Sequence, residues 1–94
     1  MRIEEIIWLD AVVDKLAVKH RVDVEEVEEA LNNKPQFRFV QKGTRAGEDV
    51  YMASGQTNGG RYLTILFIHK STGDALTLSA RDMSGWERKR YERK

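Results

Sequence analysis

The chain contains no cysteine and a single proline among its 94 residues. The first absence excludes a disulfide framework, cysteine-ligated zinc and thiol catalysis. It also agrees with a reducing, cytoplasmic location, which is the one expected. Histidine is nearly as scarce. His20 and His69 are the only two, and neither has a partner at i+3 or i+4. A zinc or iron centre needs at least three convergent ligands, so no metal and no cofactor are expected. No glycine-rich loop opens a helix, because the turn at residues 56–60 joins two strands, and phosphate-binding loops work by aiming a helix N-terminus at the anion. A Gly-x-Ser-x-Gly elbow is missing too, which removes support for serine hydrolase chemistry. Long apolar runs are absent: the stretch around residues 63–68 reaches only a strand's length, so no membrane-spanning helix is expected. Glu4, Glu5 and Asp10 interrupt the first apolar residues, and no secretory leader is expected either.

What is present suits one compact domain over residues 1–94. Forty per cent of the residues are apolar, and a chain of this length buries roughly two-thirds of its unfolded surface. The net charge of +1 conceals a polarity. Residues 1–33 carry four basic and nine acidic side chains, whereas residues 34–94 carry twelve basic and six acidic. The densest basic stretch is the tail, with Arg81, Arg88, Lys89, Arg90, Arg93 and Lys94. Such segregation is compatible with a polyanion on one face, and equally with a solvated mixed surface.

Pro35 divides two textures. Before it, Asp10 is expected to cap a helix carrying Val12, Val13, Leu16 and Ala17 at helical spacing and ending near Lys19 and His20. Asp23 and Glu26 form a capping box for a second helix, with Val22 and Val27 as its hydrophobic staple. Its buried stripe is Val24, Val27, Ala30 and Leu31, leaving Glu25, Glu26, Glu28 and Glu29 in water. A short strand over residues 3–8 is compatible with the sequence. After Pro35, strands are predicted at residues 36–42, 49–55, 61–70 and 74–80. Their short connections favour an antiparallel meander. Ser84 and Glu87 form a second capping box, heading a charged tail helix with only Trp86 and Tyr91 to anchor it. The fold class is therefore α+β: two N-terminal helices, a four-stranded antiparallel sheet with room for the short N-terminal strand, and a C-terminal helix.

The residues suited to chemistry are arginines and their neighbours. Arg61 opens the third strand of the meander and Arg81 closes the fourth, so both lie at one edge of the sheet. Their guanidiniums are expected to converge near the tail helix, where a pair would suit a phosphodiester transition state. Glu87 and Tyr91, one helical turn apart, face the same place. The competing reading is a structural ion-pair cluster of Arg81 with Asp82 or Glu87. Lys15, Lys19 and His20 offer a second group, in which a cationic helix end and a near-neutral histidine could move a proton; a solvated helix face explains them as well. Trp8, Phe37, Phe39, Tyr62 and Phe67 follow strand and helix periods and are read as core.

Taken in order, several motifs look familiar. Trp8, Lys19-His20, a glutamate-headed second helix, Gly47-Glu48-Asp49-Val50-Tyr51, Gly55-Gln56-Thr57 and Gly60-Arg61 are followed by Ser79-Ala80-Arg81-Asp82-Met83 and Glu87-Arg88-Lys89-Arg90-Tyr91. This series resembles the BrnT family of toxins from Trp8 to Tyr91. The resemblance implies a RelE-like fold and a prokaryotic type II toxin with ribonuclease activity, held in check by a cognate antitoxin. On the ribonuclease reading, Arg61 and Arg81 are expected at the phosphate, Lys15, Lys19, His20, Glu87 and Tyr91 are the candidate catalytic proton-transfer groups, and RNA contacts are expected from Arg88, Lys89 and Arg90. An oligomer is compatible with it. The pattern is broken in the first helix: Leu9, Val12 and Leu16 stand where members often carry aspartate, lysine and asparagine, and Arg21 replaces a glycine after Lys-His. Lys15 could supply the lysine from a neighbouring position. A catalytically inactive RelE-like module that holds a protein partner or RNA is the alternative.

Overall fold

The computed structural model describes residues 1–93; Lys94, counted above in the basic tail, lies outside them. Three helices and five strands follow in the order β1 (Ile6–Ile7), α1 (Asp10–Lys15), α2 (Val24–Asn32), β2 (Gln36–Gln41), β3 (Asp49–Gln56), β4 (Tyr62–His69), β5 (Ala75–Asp82) and α3 (Gly85–Glu92). A π-helical turn, Leu16–His20, continues α1. The strands form one sheet in the order β1-β5-β4-β3-β2. The expected antiparallel meander is its body, and β1 adds a short parallel edge to β5 through Ile6 opposite Ala75 and Ile7 opposite Leu76. The sheet is therefore mixed and five-stranded. No helix among the described residues is long and apolar enough to cross a membrane.

One face of the sheet carries the core. Leu16 from the π-turn, Val22, and Val27, Ala30 and Leu31 from α2 pack on Ala53, Leu63, Ile65, Phe67, Ala75 and Ala80. Close approach of α2 rests on a missing side chain. A Cβ on Gly55 would stand 2.5 Å from the Ala30 carbonyl oxygen, a separation that real Cβ atoms do not tolerate. The capping box of Asp23 and Glu26 forms with both of its arms. Of the α2 glutamates, only Glu25 is exposed, and the other three are half-buried. Glu28 accepts the Trp8 indole N–H, Glu29 accepts the Asn58 backbone N–H, and Glu26 binds Arg61.

The first helix differs from expectation. Leu9 occupies its N-cap position and Asp10 lies in the first turn, where a carboxylate still favours the helix dipole without capping it. Leu16 keeps the helical spacing from Val12 and Val13 and is buried as expected, whereas Ala17, inside the wider π-turn, faces solvent. That turn ends at Arg21 with φ +52°, a left-handed cap that glycine adopts without steric penalty. Replacing Arg21 by glycine should raise unfolding stability by about 1 kcal/mol, because the side chain costs roughly that much in this conformation. Thermal denaturation of the variant measures it, and a lower melting temperature would contradict the strain argument.

α3 docks on the opposite face of the sheet. Tyr91 is buried and sets its ring edge against Tyr62 at 5.9 Å, and the Gln36 side-chain amide donates to the Tyr91 carbonyl oxygen at 3.2 Å. Trp86, expected as a second anchor, is instead 65% exposed. Among the expected core aromatics, Phe67 is fully buried, Phe37 and Tyr62 are half-buried, and Phe39 is 52% exposed. Phe39 lies on β2, which among the described residues is an edge strand of the sheet.

Candidate functional site

Arg61 and Arg81 reach the same edge of the sheet, as expected, but they do not converge. In β4, Leu63, Ile65 and Phe67 point toward α2, and Arg61 shares their parity. In β5 the register is Thr77 opposite Phe67 and then Ser79 opposite Leu66, which leaves Leu78 as a bulge. One extra residue moves every later side chain to the other face. Ala80 and Asp82 therefore face α2, and Arg81, opposite Thr64, faces α3. Without the bulge Arg81 would share the face of Arg61.

Arg61 is fully engaged on the α2 face. Its Nε and Nη2 donate to Asp82 at 2.6 and 3.2 Å, and Nη1 donates to both Glu26 carboxylate oxygens at 3.0 and 3.1 Å. The same nitrogens reach the carbonyl oxygens of Arg21 and His20 at 2.8 and 3.1 Å. One guanidinium thus joins the N-terminal turn of α2, the end of the π-turn and the end of β5. The carbonyls are those left without partners where a helix stops, and a cation there also meets the negative end of its dipole. Asp82 holds the Arg61 pKa above its ordinary value, and Arg61 in turn lowers that of Asp82, with a smaller contribution from the charge of nearby His20. Lys15 and Lys19 are solvent-exposed on the same side and form no ion pair among the described residues. The departures from the family pattern also fall here: Leu16 is buried core, Val12 packs against it, and Leu9 is half-exposed.

On the α3 face, Arg81 and Glu87 meet in a bidentate pair, with Nη1 to Oε1 at 2.7 Å and Nη2 to Oε2 at 2.9 Å. Glu87 is there because the capping box fixes it: its carboxylate accepts the Ser84 N–H at 2.9 Å while the Ser84 hydroxyl accepts the Glu87 N–H. Thr64 adds a hydroxyl donor from β4 at 3.3 Å. These donors, Arg81 foremost, pull the Glu87 carboxyl down to about 2 from its ordinary 4.5. A lowered folded-state pKa contributes stability that is complete above the unfolded value. It is lost as pH falls through the folded one. Docking of α3 should therefore hold above pH 4.5 and loosen on the way down to about 2. Amide hydrogen exchange across α3 on an acid series measures this. In Glu87→Gln that part of the acid response should disappear, and an unchanged acid profile in the variant would break the assignment.

Glu87 and Tyr91 line a cleft of about 170 Å³ between α3 and the sheet, together with Gln36, Arg38, Met52, Ser54, Trp86 and Arg90. Arg38 and Arg90 make no ion pair with a carboxylate among the described residues. Arg88 stacks its guanidinium 4.2 Å above the Tyr62 ring and lies 3.7 Å from Glu92, while Lys89 is exposed. The expected residues thus divide in two. Arg81, Glu87, Tyr91, Arg88, Lys89 and Arg90 belong to the α3 face, and Arg61, Lys15, Lys19 and His20 to the α2 face. Sequence reasoning passed over Gln36, Arg38 and Ser54. The signal for the first two was available: Phe37 lies in the core face of β2, so its neighbours Gln36 and Arg38 must project to the other.

The chain resembles a solved structure, that of the Brucella abortus ribonuclease toxin BrnT. The two superpose with a TM-score of 0.59 over 85% of this chain and 96% of the other, at 24% sequence identity. The fold is BrnT-like. No protein-family model matches the sequence, and no curated protein matches it. The expected α+β class is thereby shown, and the short N-terminal strand that the sequence allowed is present, paired in parallel at the sheet edge. In this BrnT-like fold, the cleft beneath α3 is lined by Arg38, Arg90 and the fixed Glu87 carboxylate, which holds the exposed Arg81 guanidinium beside it.

Proposed function

We propose that this chain is a toxin of the type II toxin–antitoxin kind, a metal-independent endoribonuclease that acts at the α3 cleft. The observation that carries the reading is Arg81, 44% exposed yet held in a bidentate grip by Glu87 beside a cleft with two further arginines, on a fold shared with a ribonuclease toxin. The chemistry asks little else of the protein. The ribose 2′-OH attacks the adjacent phosphorus, its proton leaves to a base, the 5′-oxygen departs with a proton, and a 2′,3′-cyclic phosphate remains. Positive charge on the phosphoryl oxygens lowers the barrier. Arg81 supplies that charge. A carboxyl with a pKa of about 2 is a poor proton acceptor at neutral pH, so Glu87 orients Arg81. The Tyr91 hydroxyl, in the cleft lining, is the proton donor to the departing 5′-oxygen, and solvent water takes the proton of the 2′-OH. Lys15, Lys19 and His20, on the other face, take no direct part.

Among the described residues, no three histidine, aspartate or glutamate side chains gather as a metal site. Cleavage of a short RNA should then proceed at the same rate in EDTA as in buffer. A strict requirement for added divalent ion would overturn the mechanism. The direct test of the function is induced expression in a cytoplasm lacking any partner: growth arrest with RNA fragmentation supports it, and unimpaired growth with intact RNA defeats it. The antitoxin is proposed to be a protein with an acidic segment that covers the basic α3 face, its association steered by charge and weakened by salt.

A second reading has its own support. The cleft lining contains no histidine, and its one carboxylate stays ionised across the neutral range. A non-catalytic module that binds RNA or a protein partner fits that lining, and RNA binding without fragmentation would select it.

A further inference from the structure

We propose that Trp86 is a stacking platform for one base of single-stranded RNA, placed beside the phosphate that Arg81 engages. The inference rests on the RNA-cleaving reading above and adds the contact that holds the strand in place.

Trp86 stands near the start of α3 with 65% of its surface in water, although it is one of only two apolar side chains of any size on that helix. A large exposed indole on so charged a helix contributes little to docking. Arg90, one turn on, lies 5.5 Å from the indole centroid, so a cation already flanks the ring. Trp86 and Arg90 line two depressions at once. One is the cleft shared with Glu87, Tyr91, Arg38 and Ser54, and the other is an outer hollow of about 270 Å³ completed by Lys89 and Arg93. The indole and this guanidinium therefore form a shared wall between the inner cleft, lined by the Glu87 that holds Arg81, and the basic outer surface of α3. A strand whose phosphate lies at Arg81 can lay its neighbouring base on Trp86 and run its backbone past Lys89 and Arg93. Aromatic faces among cations are the usual means of holding single strands without reading their sequence. An acidic peptide would match the charge, but it offers no flat π-face to the indole.

The test uses a 2′-O-methyl oligonucleotide, which binds but cannot be cleaved. Trp86→Ala should weaken binding by about 10-fold or more, in line with the loss of one stacked base, and Trp86→Phe should recover most of it. The salt dependence of affinity should stay unchanged in both, because no phosphate contact is lost, whereas Arg90→Gln should flatten it. In a Trp8→Phe background Trp86 is the sole tryptophan and can be excited apart from the three tyrosines. Oligonucleotide should quench it, and an abasic sugar–phosphate chain of equal length should not. Circular dichroism checks that each variant is folded. If parent and Trp86→Ala bind the oligonucleotide equally, the platform is refuted while RNA binding stands. A parent that binds no RNA at all removes both this inference and the reading beneath it. Loss of antitoxin capture in Trp86→Ala with RNA binding intact would overturn the platform and assign the face to a protein partner.

Discussion

Replacing Arg81 by alanine is expected to slow RNA cleavage by about 100- to 1000-fold, the loss typical of one transition-state oxyanion donor, and to end toxicity on induced expression. The protein should remain folded. Glu87 keeps the Ser84 N–H and the Thr64 hydroxyl as partners, and α3 keeps Tyr91 in its seat. Arg81→Lys discriminates charge from geometry. A lysine restores the positive charge but cannot make two parallel hydrogen bonds to one carboxylate, so its head is not held in a fixed direction. Its rate should fall between those of parent and alanine. Glu87→Gln should lower turnover more than it raises KM, since it frees the guanidinium without removing it. Single-turnover cleavage with a circular-dichroism control measures all three. Activity near the parent's in a folded Arg81→Ala would remove Arg81 from the reaction.

How far the sequence could be read depends on which force sets each feature. The two capping boxes were legible because their residues act locally: Asp23 with Glu26, and Ser84 with Glu87, close as their spacing demands. The meander was legible because short connections leave adjacent strands no other pairing. Of the stripe that the period alone marked out, Val27, Ala30 and Leu31 are buried and Val24 is half-buried. The π-turn at Leu16–His20 was not legible, since nothing in a five-residue stretch distinguishes it from the end of an α-helix. Most consequential was the bulge at Leu78, a single unpaired residue fixed by tertiary packing. Reading β5 as a regular strand sends Arg81 to the wrong face and creates the expected pair with Arg61. The same blind spot hid the ties of Glu26 to Arg61 and of Glu28 to Trp8, which cross 35 and 20 residues of chain.

Arg61→Met is the variant in which the two arginines should part company. On the α2 face Arg61 has no donor to spare for a phosphate, because two carboxylates and two main-chain carbonyls share its five N–H groups. Its loss should therefore appear as stability. The Asp82 contact counts for little, as that side chain is 65% exposed and screened by water. The Glu26 contact, with both side chains only about a quarter exposed, and the two carbonyls at the end of the π-turn count for more. Charge-assisted bonds left without a partner in such a setting cost about 2–3 kcal/mol together. For a domain of this size that lowers the melting temperature by about 10–20 °C. Arg61→Lys should recover part of it, since one ammonium can reach Glu26 or the carbonyls but not span them and Asp82. Adding Glu26→Gln to Arg61→Met should then cost less than the two changes separately, because each has already broken the same contact. Below the melting range, cleavage per folded molecule should stay within a few-fold of the parent, against the collapse expected of Arg81→Ala. A variant that melts with the parent and has lost cleavage would return Arg61 to the phosphate and place the reaction on the α2 face, within reach of His20.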